Sequence, residues 1–75
     1  MIFTIEQLKQ ITSTGGGLVI DASAMTFNQI RDVSAAANAG KAKLTVKNFS
    51  MTLTAQQLSD LAALAPGLIV FDLTG

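Results

Sequence analysis

The sequence predicts a small α/β domain in which three helix-strand units stack into two layers. Three observations predict it: a repeated helix-start motif, a glycine-containing helix end in each unit, and a short β-favouring run after each end. The 75 residues are 49% hydrophobic and 13% charged, which suits one folded domain and is too apolar for a disordered chain. We therefore divide a single domain, 1–75, into three units of about 1–24, 25–50 and 51–75.

The predicted helices share a Thr-x-x-Gln motif followed by Leu or Ile, which begins at Thr4, Thr26 and Thr54. A Thr at the N-cap accepts a hydrogen bond from the amide of the third helical residue, and a Gln at that third position accepts one from the cap amide. This reciprocal pair is a capping box. An apolar residue stands before each cap, as in a hydrophobic staple: Phe3, Met25 and Leu53.

Each helix is predicted to end at a glycine-containing segment, at 15–17, 38–40 and 66–67. The runs that follow are aliphatic, so we predict strands that begin at Leu18, Leu44 and Leu68. Strands joined by helices pair in parallel through right-handed crossovers, which gives the order 1-2-3 with the helices on one face of the sheet. An order with strand 3 in the centre is the alternative, because strand 3 is apolar on both faces.

Side chains alternate between the two faces of a strand, which assigns the residues to an inner and an outer face. In strand 3 this alternation, counted from Leu68, places Leu68 and Val70 inward. Val19 of strand 1 is predicted to face outward. The outward apolar residues that form the predicted interface are Phe49, Ile69, Phe71 and Leu73.

The strand and helix halves of these units resemble a leucine-rich repeat of the helical kind. The resemblance rests on the path from Leu44 through 51–53 to the helix over 57–65, and on the final strand over 68–73. Ser23, Phe49 and Leu73 stand where that family carries its ladder of Asn residues. The resemblance implies parallel strands on the concave side of a horseshoe and a role in binding other proteins.

The sequence has few residues of the kinds that carry catalysis. It contains no Cys, the residue that supplies thiolate ligands for metals, and no His, the commonest metal ligand and acid–base group. Asp21 and Asp72 come at similar points of strands 1 and 3, but the assigned faces point them in opposite directions. The glycines at 15–17 and 40 follow helices, whereas a phosphate-binding loop precedes one. We expect no enzyme, no cofactor and no metal.

Charge is balanced, with five basic and five acidic residues, so we expect neither nucleic acid nor a membrane as partner. The middle unit holds a local excess of positive charge, which we interpret as a solvated face; contact with the acidic third unit of another copy is the alternative. Its basic residues are Arg31, Lys41, Lys43 and Lys47. The sequence has neither the pattern of a signal peptide nor a long apolar run, and the cytoplasm is the default compartment.

The apolar outer side predicted for strand 3 leads to the functional prediction. We expect a non-catalytic protein-interaction or self-assembly module that associates through the edge of strand 3 and the outer face of the sheet. A homodimer that pairs the two strands 3 antiparallel would cover this edge. There are two alternatives: a small regulatory or effector-type binder of the toxin-inhibitor kind, covered by a different protein, and a fragment of a longer repeat protein.

Overall fold

The computed structural model describes residues 3–74, and its helices and strands follow one another in the predicted order. The elements are α1 (Ile5–Ser13), β1 (Leu18–Asp21), α2 (Phe27–Gly40), β2 (Leu44–Lys47), α3 (Ala55–Leu64) and β3 (Ile69–Phe71). A 3-10 helix that the sequence did not predict, Ala22–Ala24, follows β1. The strands form one parallel sheet in the order β1-β2-β3, which confirms the predicted α/β fold class and excludes a central strand 3.

All three helices begin with the predicted capping box. At Thr4, Thr26 and Thr54 the hydroxyl oxygen accepts from the backbone N–H of the third helical residue, at 3.2 Å in each case. The Gln at that position accepts from the N–H of the Thr through its Oε1 atom, at 2.9 Å in each case. Local sequence alone therefore determines where these helices start.

The core lies between the helix layer and one face of the sheet. Leu44 and Val46 of β2 are fully buried, and Val19 of β1, which points the other way, is 67% exposed. Burial of a Leu or Val side chain, as at Leu44 and Val46, stabilises the fold by roughly 1.5–3 kcal/mol relative to leaving it exposed. The largest fully buried aliphatic side chains that the helices contribute to this core are Ile30, Val33 and Leu61. The helices thus cover one face of the sheet.

The end of α2 differs from the prediction because of its contact with α1. The helix continues through Gly40, and the left-handed cap residue is Lys41, with φ 56°. A Cβ atom on Gly40 would lie 2.0 Å from the carbonyl oxygen of Thr12, which is itself fully buried. The glycine is therefore required by the close approach of the two helices and not by a left-handed conformation of its own.

The turn after α3 is one residue longer than predicted, so β3 begins at Ile69. Gly67 adopts φ 77° in this turn, and the N–H of Leu68 donates to the carbonyl of Ala65 at 3.0 Å. The carbonyl of Leu68 then accepts from the N–H of Leu44 at 2.9 Å. This register places Leu68 before the strand and reverses the faces assigned to every residue of β3.

Candidate interaction surface

Three of the four residues predicted to form an interface belong to the core side of the sheet. Ile69 lies beside Leu44 and Phe71 lies beside Val46 in the sheet, so both face the helix layer, where they are half-buried against the core. Phe49 is buried. The prediction that these three point outward is wrong. For Ile69 and Phe71, one extra residue in the preceding turn exchanges the two faces of the strand. Phe49 follows Asn48, whose left-handed backbone, with φ 57°, ends the alternation of β2.

Leu73 is the fourth predicted residue, and it is exposed. It follows β3, and 81% of its surface is accessible. Its side chain therefore adds apolar surface at the end of β3, as the sequence predicted. The outer face next to it carries Val70, which is 42% exposed and lies beside Thr45 in the register, with Val19 beyond. The sequence had placed Val19, but not Val70, on this face.

The sheet has a free edge on each side, because β1 and β3 each pair only with β2 in residues 3–74. In a parallel strand the N–H and C=O groups of one residue point to the same side, and successive residues alternate. The N–H of Asp72 donates to Val46 of β2, at 2.9 Å. Ile69 and Phe71 therefore direct their backbone groups to the free side, and strand addition is open to a partner there.

A cleft of about 400 Å³ lies beside β1 and under α1. Phe3, the residue before the first helix cap, is half exposed in its wall, and Leu8 is buried behind it. The complete lining is Phe3, Leu8, Leu18, Val19, Ile20, Asp21 and Ala24. The sequence analysis did not predict this cleft. Two features of the sequence pointed to it: the predicted position of strand 1 at the edge of the sheet, and the apolar Phe3 before the first helix cap.

The strands end in a row of charged residues on the outer face. Lys47 lies beside Asp21 in the register, and Asp72 follows β3 at the corresponding position on the other side of Lys47. The two carboxylates therefore share a face, which corrects the prediction that they point in opposite directions. Neighbouring strands lie about 4.8 Å apart, and β2 lies between the strands that carry the two carboxylates. The carboxylates are therefore too far apart to act together as a catalytic pair in direct contact.

Hydrogen bonds lower the pKa of both carboxyl groups. The hydroxyl of Ser23 donates to Asp21, the side-chain amide of Asn48 donates to its other oxygen at 3.0 Å, and Lys47 adds a favourable charge; together they hold the pKa of Asp21 below its usual value. The hydroxyl and N–H of Thr74 act on Asp72, again with help from Lys47, and lower its pKa as well. Both groups therefore remain ionised at neutral pH.

The predicted basic residues do not share one face. Arg31 is exposed on α2, in the helix layer, and Lys41 is exposed at the cap that follows this helix. Lys43 and Lys47 alternate with buried Leu44 and Val46, so they belong to the outer face of the sheet. The charge excess of the middle unit is thus divided between the two layers, and only its sheet half borders the exposed valines.

The described part of the chain contains no group of three Asp or Glu residues arranged to hold a metal ion. Within residues 3–74 every buried side-chain nitrogen or oxygen has a hydrogen-bond partner. In the same residues no helix has the length and apolar character needed to cross a membrane.

The chain was compared with protein-family models, with curated proteins and with solved structures, and none of them matches it.

Proposed function

We propose that this chain is a non-catalytic protein-interaction module that binds its partner by strand addition at the free edge of β3. The observation that carries the proposal is that β3 is an edge strand with open backbone groups and exposed apolar neighbours. Ile69 and Phe71 present their N–H and C=O groups to the free side, while Val70 and Leu73 expose apolar surface beside them. Main-chain hydrogen bonds supply affinity in this mode of recognition, and neighbouring side chains supply specificity.

A second copy of the chain is the first candidate partner. Antiparallel pairing of β3 with its mate about Val70 sets the two Val70 side chains opposite each other on the outer face and joins the sheets into one of six strands. Ile69 then lies opposite Phe71 of the mate, on the helix side. This arrangement keeps the homodimer expected from the sequence but changes the residues that form it, since Phe49 lies in the core.

A different protein is the second candidate, which agrees with the regulatory or effector-type binder considered from the sequence. The observation that favours it is the carboxylate of Asp72, which stands ionised at the end of the free edge and would attract a basic residue of a partner there. The compartment proposed for either form is the cytoplasm.

The test is the solution mass, measured by light scattering after size exclusion over a hundredfold range of concentration. Self-association predicts a dimer that Val70→Lys and Leu73→Lys convert to monomer, because each places a charge on the pairing edge. Met51→Lys is the matched control, since Met51 is 93% exposed in the connection after β2. A dimer that both edge variants leave intact contradicts the β3 edge as the site of association.

A monomer at every concentration excludes the first candidate and leaves the second. Phe71→Lys is unsuitable for this test because Phe71 packs against the core, so a change in mass would follow from unfolding.

A further inference from the structure

Strands β1 and β3 carry the same sequence pattern, including the turn that follows each of them. The pattern is an apolar residue, Val, an apolar residue, Asp, an apolar residue and a hydroxyl residue, over 18–23 and again over 69–74. The sheet register aligns the two segments, because Leu18 and Ile69 both lie beside Leu44 of β2. In each turn the N–H two residues after the Asp donates to its carboxylate at 2.9 Å.

The structure shows which strand binds to this pattern, because β2 lies along the corresponding side of β1. The N–H of Leu18 donates to the carbonyl of Lys43 at 3.1 Å, so the backbone N–H and C=O groups of Leu18 point toward β2. The same groups of Ile69 point toward the free side of β3. At the strand end, Lys47 lies beside Asp21, and the amide of Asn48 donates to the Asp21 carboxylate at 3.0 Å. The free edge of β3 is therefore the counterpart of an edge that is already occupied in β1.

We infer that the free edge of β3 accepts a parallel strand of another protein in which two alternating apolar residues are followed by a basic residue that lies beside Asp72. The inference rests on the proposed function and specifies its second candidate partner. β2 provides the template for this chemistry: Leu44 and Val46 face the helix layer, and Lys47 follows. A basic residue at that place would approach the Asp72 carboxylate from the free side of β3, whereas the charge of Lys47 acts on it from β2.

A second copy of this chain cannot supply such a strand from a free edge. Parallel pairing of β3 with β1 of another copy would set Asp21 beside Asp72, and like charges directly opposite are destabilising. Antiparallel pairing of β3 with β3 of another copy would set Leu68 of that copy, and not a basic residue, beside Asp72. The basic strand of this fold, β2, has neighbours on both sides. A parallel strand with a basic residue beside Asp72 therefore comes from a partner that differs from this chain.

The test uses the full chain and a synthetic peptide with blocked ends whose sequence is that of residues 43–49, Lys-Leu-Thr-Val-Lys-Asn-Phe. A second peptide carries the change Lys47→Glu. Amide chemical shifts of the ¹⁵N-labelled protein locate the binding site, and their dependence on peptide concentration gives the affinity. We expect the largest shifts at Ile69 and Phe71, whose N–H groups face the free edge.

A charge exchange then tests selectivity. Asp72→Lys is expected to weaken binding of the native-sequence peptide by about threefold to tenfold and to strengthen binding of the K47E peptide, as cross-strand charge pairs do. Asp60→Lys is the matched control, because Asp60 is exposed on α3, and it should change neither affinity. Raising the salt concentration should reduce the difference between the two peptides.

Each other outcome overturns the inference in a distinct way. Equal affinities of the two peptides at the β3 edge would show strand addition without charge selection, which contradicts the inference and leaves the proposed function standing. Chemical-shift changes confined to the free edge of β1, at Val19 and Asp21, would place the binding site at the opposite edge of the sheet and contradict the inference. Absence of binding by both peptides would also contradict the inference, and it would leave the homodimer, the first candidate of the proposed function, which the solution mass tests separately.

Discussion

The rings of Phe49 and Phe71 meet edge to face, with their centroids 5.8 Å apart and their planes at 69°. This contact joins the connection after β2 to the last strand on the core side of the sheet. Both aromatic rings, which the sequence placed on an outer interface, therefore contribute to stability at the end of the core. What β3 leaves for recognition is its backbone edge, together with Val70 and Leu73.

Phe71→Ala should lower the free energy of unfolding by about 2–3 kcal/mol, below the 3–5 kcal/mol typical of a fully buried Phe because Phe71 is half-buried. Leu73→Ala, two residues away and exposed, should change it by less than about 0.5 kcal/mol. Urea denaturation followed by circular dichroism measures both. Equal effects of the two substitutions would contradict the face assigned to Phe71.

Gly40→Ala should destabilise the protein by about 1–3 kcal/mol, because the added methyl group meets the carbonyl of Thr12 and must push the end of α1 away from α2. In an exposed helix the same change would be stabilising. Ala39→Lys is the control, since Ala39 is exposed next to Gly40 and tolerates a longer side chain. A stability increase in the Gly40 variant, measured by thermal unfolding, would disprove the close approach of the two helices.

Thr54→Ala should cost about 1 kcal/mol, because it removes the oxygen that accepts the N–H of Gln57 at the start of α3. Thr54→Ser keeps a hydroxyl in the same place and should retain most of the stability. The pair separates the capping bond from other effects of the position. Denaturant unfolding of both variants is the measurement, and a loss of the same size in the Ser variant would argue against the cap as its cause.

Acid should destabilise the protein through Asp21 and Asp72. Because their pKa values are lowered in the folded state, each stabilises the fold above the unfolded pKa of about 3.9, and that contribution disappears as the pH falls through the lower folded pKa. Ser23→Ala removes the largest cause of the shift at Asp21 and should raise its pKa toward the usual value.

Carboxyl carbon chemical shifts, followed from pH 6 to pH 2, measure the pKa of Asp21 directly. Ser50→Ala, at an exposed position after β2, is the control and should leave this titration unchanged. A Ser23→Ala variant in which Asp21 titrates as in the native chain would show that the hydroxyl bond does not lower its pKa.

The features predicted best are those controlled by neighbouring residues. The three helix starts follow from Thr-x-x-Gln, since both partners of each capping box lie within four residues of the chain. The parallel pairing of the strands follows from the alternation of helices and strands. The candidate site was predicted less well, because its faces depend on where β3 starts, and a turn that contains Pro66 and Gly67 accommodates either start.

The fold class and the helix starts could be predicted from local sequence, because capping bonds and helix crossovers act between neighbouring segments of the chain. Two strand orders remained open from the sequence, and the structure has the order β1-β2-β3. The side of β3 that faces the core depends on contacts between segments that are distant in the sequence. The hydrogen bond from the N–H of Leu44 to the carbonyl of Leu68 sets the register of β3 against β2. A shift of this register by one residue would move Ile69 and Phe71 to the other face of the sheet. The tertiary structure also decided that Asp21 and Asp72 share a row with Lys47, since that row exists only when three distant segments pair in register.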